Sequence, residues 1–168
     1  MNLGVESYKI EGRMKSMYYI ATVANAYRTI MDKKIDGTLT EDDIVYYKKV
    51  LNRVSNRENT SQFYNGVPGE EGQYFNGRQE LSNQDFLALV IDYDKENKIA
   101  TLEQRNKFSV GDVVEVFGPS TSVKSFEIKD IMNEDNEFVK SASHAQEIVK
   151  ISMPFDVCSG DIIRVKIP

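Results

Sequence analysis

The amino-acid sequence predicts an α+β chain in which two helices precede a small antiparallel β-barrel. Apolar residues recur at three- and four-residue steps between positions 14 and 54, the period of a packed helix. From Asp85 onward they come in short β-branched and aromatic runs, separated by turn residues about every ten positions. Between these patterns lies a stretch of Asn, Gly and aromatic residues with no period. The shifts divide the 168 residues into a helical segment at 1–54, a connector at 55–84 and a barrel at 85–168.

Residues 5–10 read as a short strand and Glu11-Gly12-Arg13 as a tight turn after it. A helix then runs from Met14 to about Lys33, with Met17, Ala21, Ala24, Arg28 and Met31 in step along one side. Tyr19, Val23, Ala26, Tyr27 and Ile30 widen that arc, so much of the helix surface calls for neighbours. Strand, turn and helix make one β/α unit. A parallel strand needs partners and crossovers, so this unit reads as the last of a β/α barrel lying upstream. Asp36-Gly37 closes the helix, and Thr40 is suited to cap a second, with Asp43 completing a short version of the capping box. Ile44, Tyr47, Leu51 and Val54 give that second helix its stripe.

The connector holds five Asn and four Gly, which break any period, yet Phe63, Tyr64, Tyr74 and Phe75 are too apolar for a plain linker. They read as anchors that pin it to the body; the competing reading makes them a surface for RNA bases or a partner. Strands follow at 86–91, 99–104, 113–117, 125–131, 148–151 and 162–167, with Asp94-Lys95-Glu96-Asn97 as the first hairpin turn. Six short strands at that spacing fit a closed or nearly closed barrel, which hides its edges.

Net charge is −5, and all of it falls in the second half, where residues 83–168 carry 10 Lys+Arg against 15 Asp+Glu. That balance excludes a broad, nonspecific clamp on nucleic acid, while a local basic patch stays open. Cys158 is the only cysteine, so it has no disulfide partner within the chain, consistent with a cytoplasmic setting. No apolar run reaches the length of a membrane span, and residues 1–6 do not look like a signal peptide.

The chain carries no zinc-protease motif, no nucleophile elbow and no phosphate loop, so no catalytic or metal-binding residue is assigned. His144 and Cys158 would make a base and a nucleophile only if the fold joined them, and no third group stands out to orient them. Lys9-Ile10-Glu11-Gly12-Arg13-Met14-Lys15 is more specific. An acid near a helix start is favoured by the helix dipole, but Arg13 and Lys15 oppose it. Glu11, Arg13 and Lys15 are therefore the candidate substrate- or anion-binding residues.

Residues 8–16, 18–23 and 26–28, together with Glu103-Gln104-Arg105-Asn106-Lys107-Phe108, Gly111-Asp112-Val113-Val114-Glu115 and Ala142-Ser143-His144-Ala145-Gln146, resemble the collagenase-like peptidase family U32. The likeness covers essentially the whole chain, and Phe63-Tyr64 before Gly66 resembles the family's connector. It implies a catalytic β/α barrel upstream and a C-terminal β-barrel here, with the family's cysteine-bearing signature outside this chain. The arrangement resembles most the branch that hydroxylates tRNA wobble uridine, linked to prephenate. The resemblance thus implies tRNA as a partner, and prephenate or an iron–sulfur cluster as cofactors of the full-length protein, with none held by this chain. The expected role is that of a non-catalytic accessory module. The alternative is an RNA- or protein-binding barrel of a genuine collagenase-like protease.

Overall fold

A computed structural model describes residues 6–54, 62–67, 69–70 and 84–168. The chain divides into two compact units, Met1–Asn83 and Gln84–Pro168.

In the first unit, helix α1 (Met17–Ile35) packs against helix α2 (Glu41–Val54). Ser16 caps α1, its Oγ accepting from the Tyr19 amide at 3.1 Å. The helix ends where expected: the Thr38 amide returns to the Lys33 carbonyl at 2.8 Å, and Gly37 takes a φ of 70° that a side chain would resist. Thr40 and Asp43 cap α2 reciprocally. The Asp43 amide donates to Thr40 Oγ1 at 3.2 Å, and the Thr40 amide to Asp43 Oδ2 at 3.0 Å. Asp43 also pairs with Lys33, and these contacts, the Lys33 one foremost, hold its carboxyl down at about 2.

Two details differ from the sequence reading. Residues 6–10 form no strand, because this unit offers no second strand among the described residues to complete a ladder. The buried face of α1 is also displaced by one position from the expected stripe. Tyr18, Thr22, Val23 and Ala26 are buried, while Met17, Ile20 and Tyr27 are exposed. Val23 and Ala26 belong to the expected arc, while Thr22 carries a hydroxyl that an apolar count passes over and Tyr18 lies beside the stripe. On α2 the buried residues are Tyr47, Val50 and Val54.

The second unit is a curled antiparallel sheet, a half-barrel. Its strands are β1 (Phe86–Asp94), β2 (Ile99–Gln104), β3 (Phe108–Ser109), β4 (Val113–Phe117), β5 (Lys124–Glu127), β6 (Ser141–Ala142), β7 (Ile148–Ser152) and β8 (Ile162–Val165). Six of them run in the order β5-β4-β8-β1-β2-β7, and β3 pairs with β6 in a separate ribbon. The six strands read from the sequence are all present; the two-residue strands β3 and β6 are too short to leave a period.

The fourth expected strand, 125–131, stops at Glu127 and turns a corner. Ile128 and Ile131 stay buried beyond it, and Asp130 Oδ1 accepts the Ser152 amide at 2.9 Å. Past the corner, Met132 and Lys150 of β7 exchange backbone hydrogen bonds at 2.8 Å in both directions. One bridge thus spans the gap between the two edges of the sheet. Inside, Val90, Leu102, Phe108, Val114, Ile151 and Ile163 form part of one core, each contributing roughly 1.5–3 kcal/mol by leaving water.

β4 and β8 are buried on both faces. On the side away from that core, Arg164 Nε and Nη2 each lie 2.9 Å from Glu115 Oε2, and the guanidinium sits 4.7 Å from the Phe117 ring. Expressed alone, residues 84–168 should give a β-rich circular-dichroism spectrum and one cooperative melting transition, because the core closes within the segment. A helical or featureless spectrum would show that the barrel depends on residues 1–83.

Candidate functional site

Glu11, Arg13 and Lys15 occupy the turn that delivers the chain to α1. The Lys15 amide donates to the Gly12 carbonyl at 2.9 Å, and Glu11 Oε1 accepts the Arg13 amide at 2.9 Å. Glu11 therefore shapes the turn through the backbone. The Arg13 guanidinium forms no ion pair among the described residues and is exposed. Gly12 lets the turn lie close on the helix, since a methyl there would come 2.8 Å from Ile20 Cγ1.

Glu11, Arg13, Met14 and Lys15 line an open concavity of about 360 Å3. Met14 is 91% exposed at its lip. Lys15 Nζ stands 5.2 Å from the Tyr19 ring centroid, within cation–π range. The first turn of α1 contains no acid. Two cations beside the positive end of a helix repel each other and the dipole, an arrangement that an anion relieves.

The aromatic candidates are placed less completely. Phe63 and Tyr64 lie in a single 3-10 turn, Gln62–Asn65, and are 68% and 81% exposed, so neither is buried as an anchor. Tyr74 and Phe75 lie outside the described residues.

His144 and Cys158 are anchored to different parts of the barrel. His144 Nδ1 is 3.5 Å from Glu147 in the loop before β7, and its side chain is 86% exposed. Cys158 begins the turn into β8, where its amide donates to Asp161 Oδ2 at 2.8 Å. Nothing joins them as a dyad. Among the described residues no three His, Cys, Asp or Glu side chains come together to hold a metal, and no helix is long and apolar enough to cross a membrane.

Sequence reasoning passed over one cluster. The stretches 103–108 and 142–146, which carry part of the family resemblance, are joined by the β3–β6 ribbon. Of the paired residues only Phe108 and Ala142 lie within those stretches, so the available signal was one core-facing residue on each side.

Residues 1–74 match the family model for peptidase family U32, and residues 82–164 match the model for the peptidase family U32 C-terminal domain. The chain belongs to peptidase family U32. This U32 chain is 35% identical over 167 residues to tRNA hydroxylation protein P1 of Bacillus subtilis (strain 168), covering 98% of this chain and 39% of that protein. It is 31% identical to tRNA hydroxylation protein P of Haemophilus influenzae, covering 92% and 33%. A collagenase of Porphyromonas gingivalis is 27% identical, covering 88% and 41%. The chain thus spans about two fifths or less of the length of these curated relatives. Among solved structures, the C-terminal domain of a U32 protein of Geobacillus thermoleovorans is 36% identical with a TM-score of 0.49, covering 51% of this chain and 98% of that one.

Proposed function

We propose that this U32 chain is a non-catalytic module of a cytoplasmic protein that hydroxylates a tRNA uridine, with the chemistry carried by a β/α barrel in the remainder of the full-length protein. The supporting observation is 35% identity across 98% of the chain to a tRNA hydroxylation protein, against 27% to a collagenase.

Within that protein, the Glu11–Lys15 turn binds an anionic group. Arg13 suits the task because its planar fork holds two oxygens at once, and Lys15 adds a point charge. The group is an RNA phosphate or the carboxylate of a cofactor such as prephenate. An iron–sulfur cluster needs several thiolates, and Cys158 is the only cysteine, so this chain does not hold one.

In the full-length protein, Arg13→Lys should keep the charge and lose the fork. Tenfold to hundredfold lower activity is expected, roughly the worth of a lost charge-assisted hydrogen bond, at an unchanged melting temperature. Activity that survives while the melting temperature falls would make the turn a structural clasp. The reaction itself is read by mass spectrometry of tRNA incubated with the full-length protein and prephenate. Cleavage of gelatin without hydroxylated uridine would favour the collagenase reading.

A further inference from the structure

Helix α1 carries apolar residues on two faces. Tyr18, Thr22, Val23 and Ala26 are buried, whereas Met17, Ile20, Ala24 and Tyr27 stand exposed in a second stripe at three- and four-residue steps. The segment before the helix lies along that second stripe. The Tyr8 ring is 6.4 Å from the Tyr27 ring, and Gly12 sits close against Ile20. Residue 8 is thus beside residue 27 and residue 12 beside residue 20, so the segment runs antiparallel to the helix. Seven helical residues rise about 10.5 Å, a distance that four residues of extended chain span. An extended segment followed by an antiparallel helix is the half-unit from which parallel sheets are built, yet residues 6–10 join no ladder. Tyr8 and Ile10 keep 45% and 41% of their surface in water although the segment lies on the helix.

The same stripe leads to the Glu11–Lys15 turn. Met14, exposed at the lip of the concavity, stands three residues before Met17, so apolar surface continues from the helix to the anion site. That concavity is open and is lined by one short stretch of chain. Small-molecule sites bury roughly 70–90% of their ligand's surface, which four residues of a single turn cannot do. A second wall is needed. Whatever covers the stripe as far as Met14 reaches the place where that wall stands.

We propose that the remainder of the full-length protein docks on this stripe, pairs a parallel strand with residues 6–10, and supplies the second wall of the Glu11–Lys15 anion site. The inference rests on the anion-binding reading above and adds that the site is shared. Length and linkage select the occupant. The chain spans 39% of the Bacillus subtilis relative, so the larger part of such a protein is available to cover the stripe. Residues 1–74 match the U32 model apart from the C-terminal domain model at 82–164, which assigns this unit to the portion of the family outside that domain. A covalently linked portion also faces the stripe at an effective concentration of about millimolar, which a second copy does not match. One stripe of four side chains is small, moreover, against the roughly 800 Å2 that each partner of a stable dimer buries.

Amide hydrogen exchange of residues 6–10, in this chain and in the full-length protein, tests the docking. The amides should exchange at least about a hundredfold more slowly in the full-length protein, as ladder bonds and burial require. Equal rates would overturn the docking, and so would protection in this chain alone that grows with concentration, since a second copy is then the occupant. Titration calorimetry with prephenate and with inorganic phosphate tests the shared wall. One of the two should bind the full-length protein about tenfold or more tightly than it binds this chain, roughly the worth of one added charge-assisted hydrogen bond. Ala24 lies eight residues beyond the Ser16 cap, about 12 Å along the axis, so Ala24→Lys leaves the turn intact. In the full-length protein it should restore fast exchange at residues 6–10 and weaken that binding to the level of this chain. In this chain it should shift the melting temperature by less than about 2 °C, because the position is exposed. Both parent comparisons decide the matter even where the full-length variant does not fold. Equal affinity in the two chains, affinity untouched by Ala24→Lys, or no binding of either probe to the full-length protein would overturn the shared site. Hydroxylated uridine in the tRNA assay would then still leave the accessory-module reading standing.

Discussion

Gly118→Ala should destabilise the C-terminal unit by roughly 3 kcal/mol or more, the upper end of what overpacking costs. A methyl on Gly118 would lie 1.8 Å from Asp161 Oδ1 and 3.3 Å from the Asp161 Cα. Asp161 has no room to retreat. It is fully buried, and its Oδ2 accepts from Thr121 Oγ1 at 2.5 Å and from the Cys158 amide at 2.8 Å. Any shift that clears the methyl breaks those bonds, so steric and polar penalties add. Urea unfolding of the whole chain measures the effect. Asp161→Ala gives the control: it should be destabilising alone, yet adding Gly118→Ala to it should cost less than about 1 kcal/mol, because the clash is gone. Additive losses would mean that the carboxylate is not what the methyl meets.

Glu115→Ala should cost about 3 kcal/mol, because it leaves the guanidinium of Arg164 buried without this carboxylate. Arg164 is 0% exposed and Glu115 3%, so water cannot take the carboxylate's place. The attraction between the two is not the main reason for the loss. Much of it is the desolvation of the charge left behind. Replacing both, as Glu115→Leu/Arg164→Met, should therefore recover most of the stability, since neither charge is then buried. Thermal unfolding of the three chains separates the two accounts. A double variant less stable than Glu115→Ala would show that the pair itself holds β4 to β8.

The fold was legible where one physical signal dominated. The Thr40–Asp43 cap, the Gly37 stop and the six longer strands each follow from local chemistry that the chain states within a few residues. The buried face of α1 was read in part: Val23 and Ala26 lay in the expected arc, Thr22 was missed because its hydroxyl hides it from an apolar count, and Tyr18 lies one position from the expected stripe. β3 and β6 were missed because two residues carry no period, and their pairing depends on contacts distant in sequence.

The Glu11–Arg13–Lys15 turn was legible as a charge conflict with the helix dipole, although the sequence could not show that Glu11 bonds the Arg13 amide.

The position of β8 within the sheet has a consequence for how the barrel assembles. It follows all the other strands in the chain but lies between β4 and β1 in the sheet. Until residues 162–165 are available, β5-β4 and β1-β2-β7 share no strand pairing beyond the Met132–Lys150 bridge, and each has an open edge. On the ribosome, the barrel can therefore not close until β8 has emerged, and the nascent chain waits with two apolar half-sheets exposed. A chain cut anywhere before Ile162 should be trapped in that state and accumulate as aggregate, rather than as a slightly smaller domain.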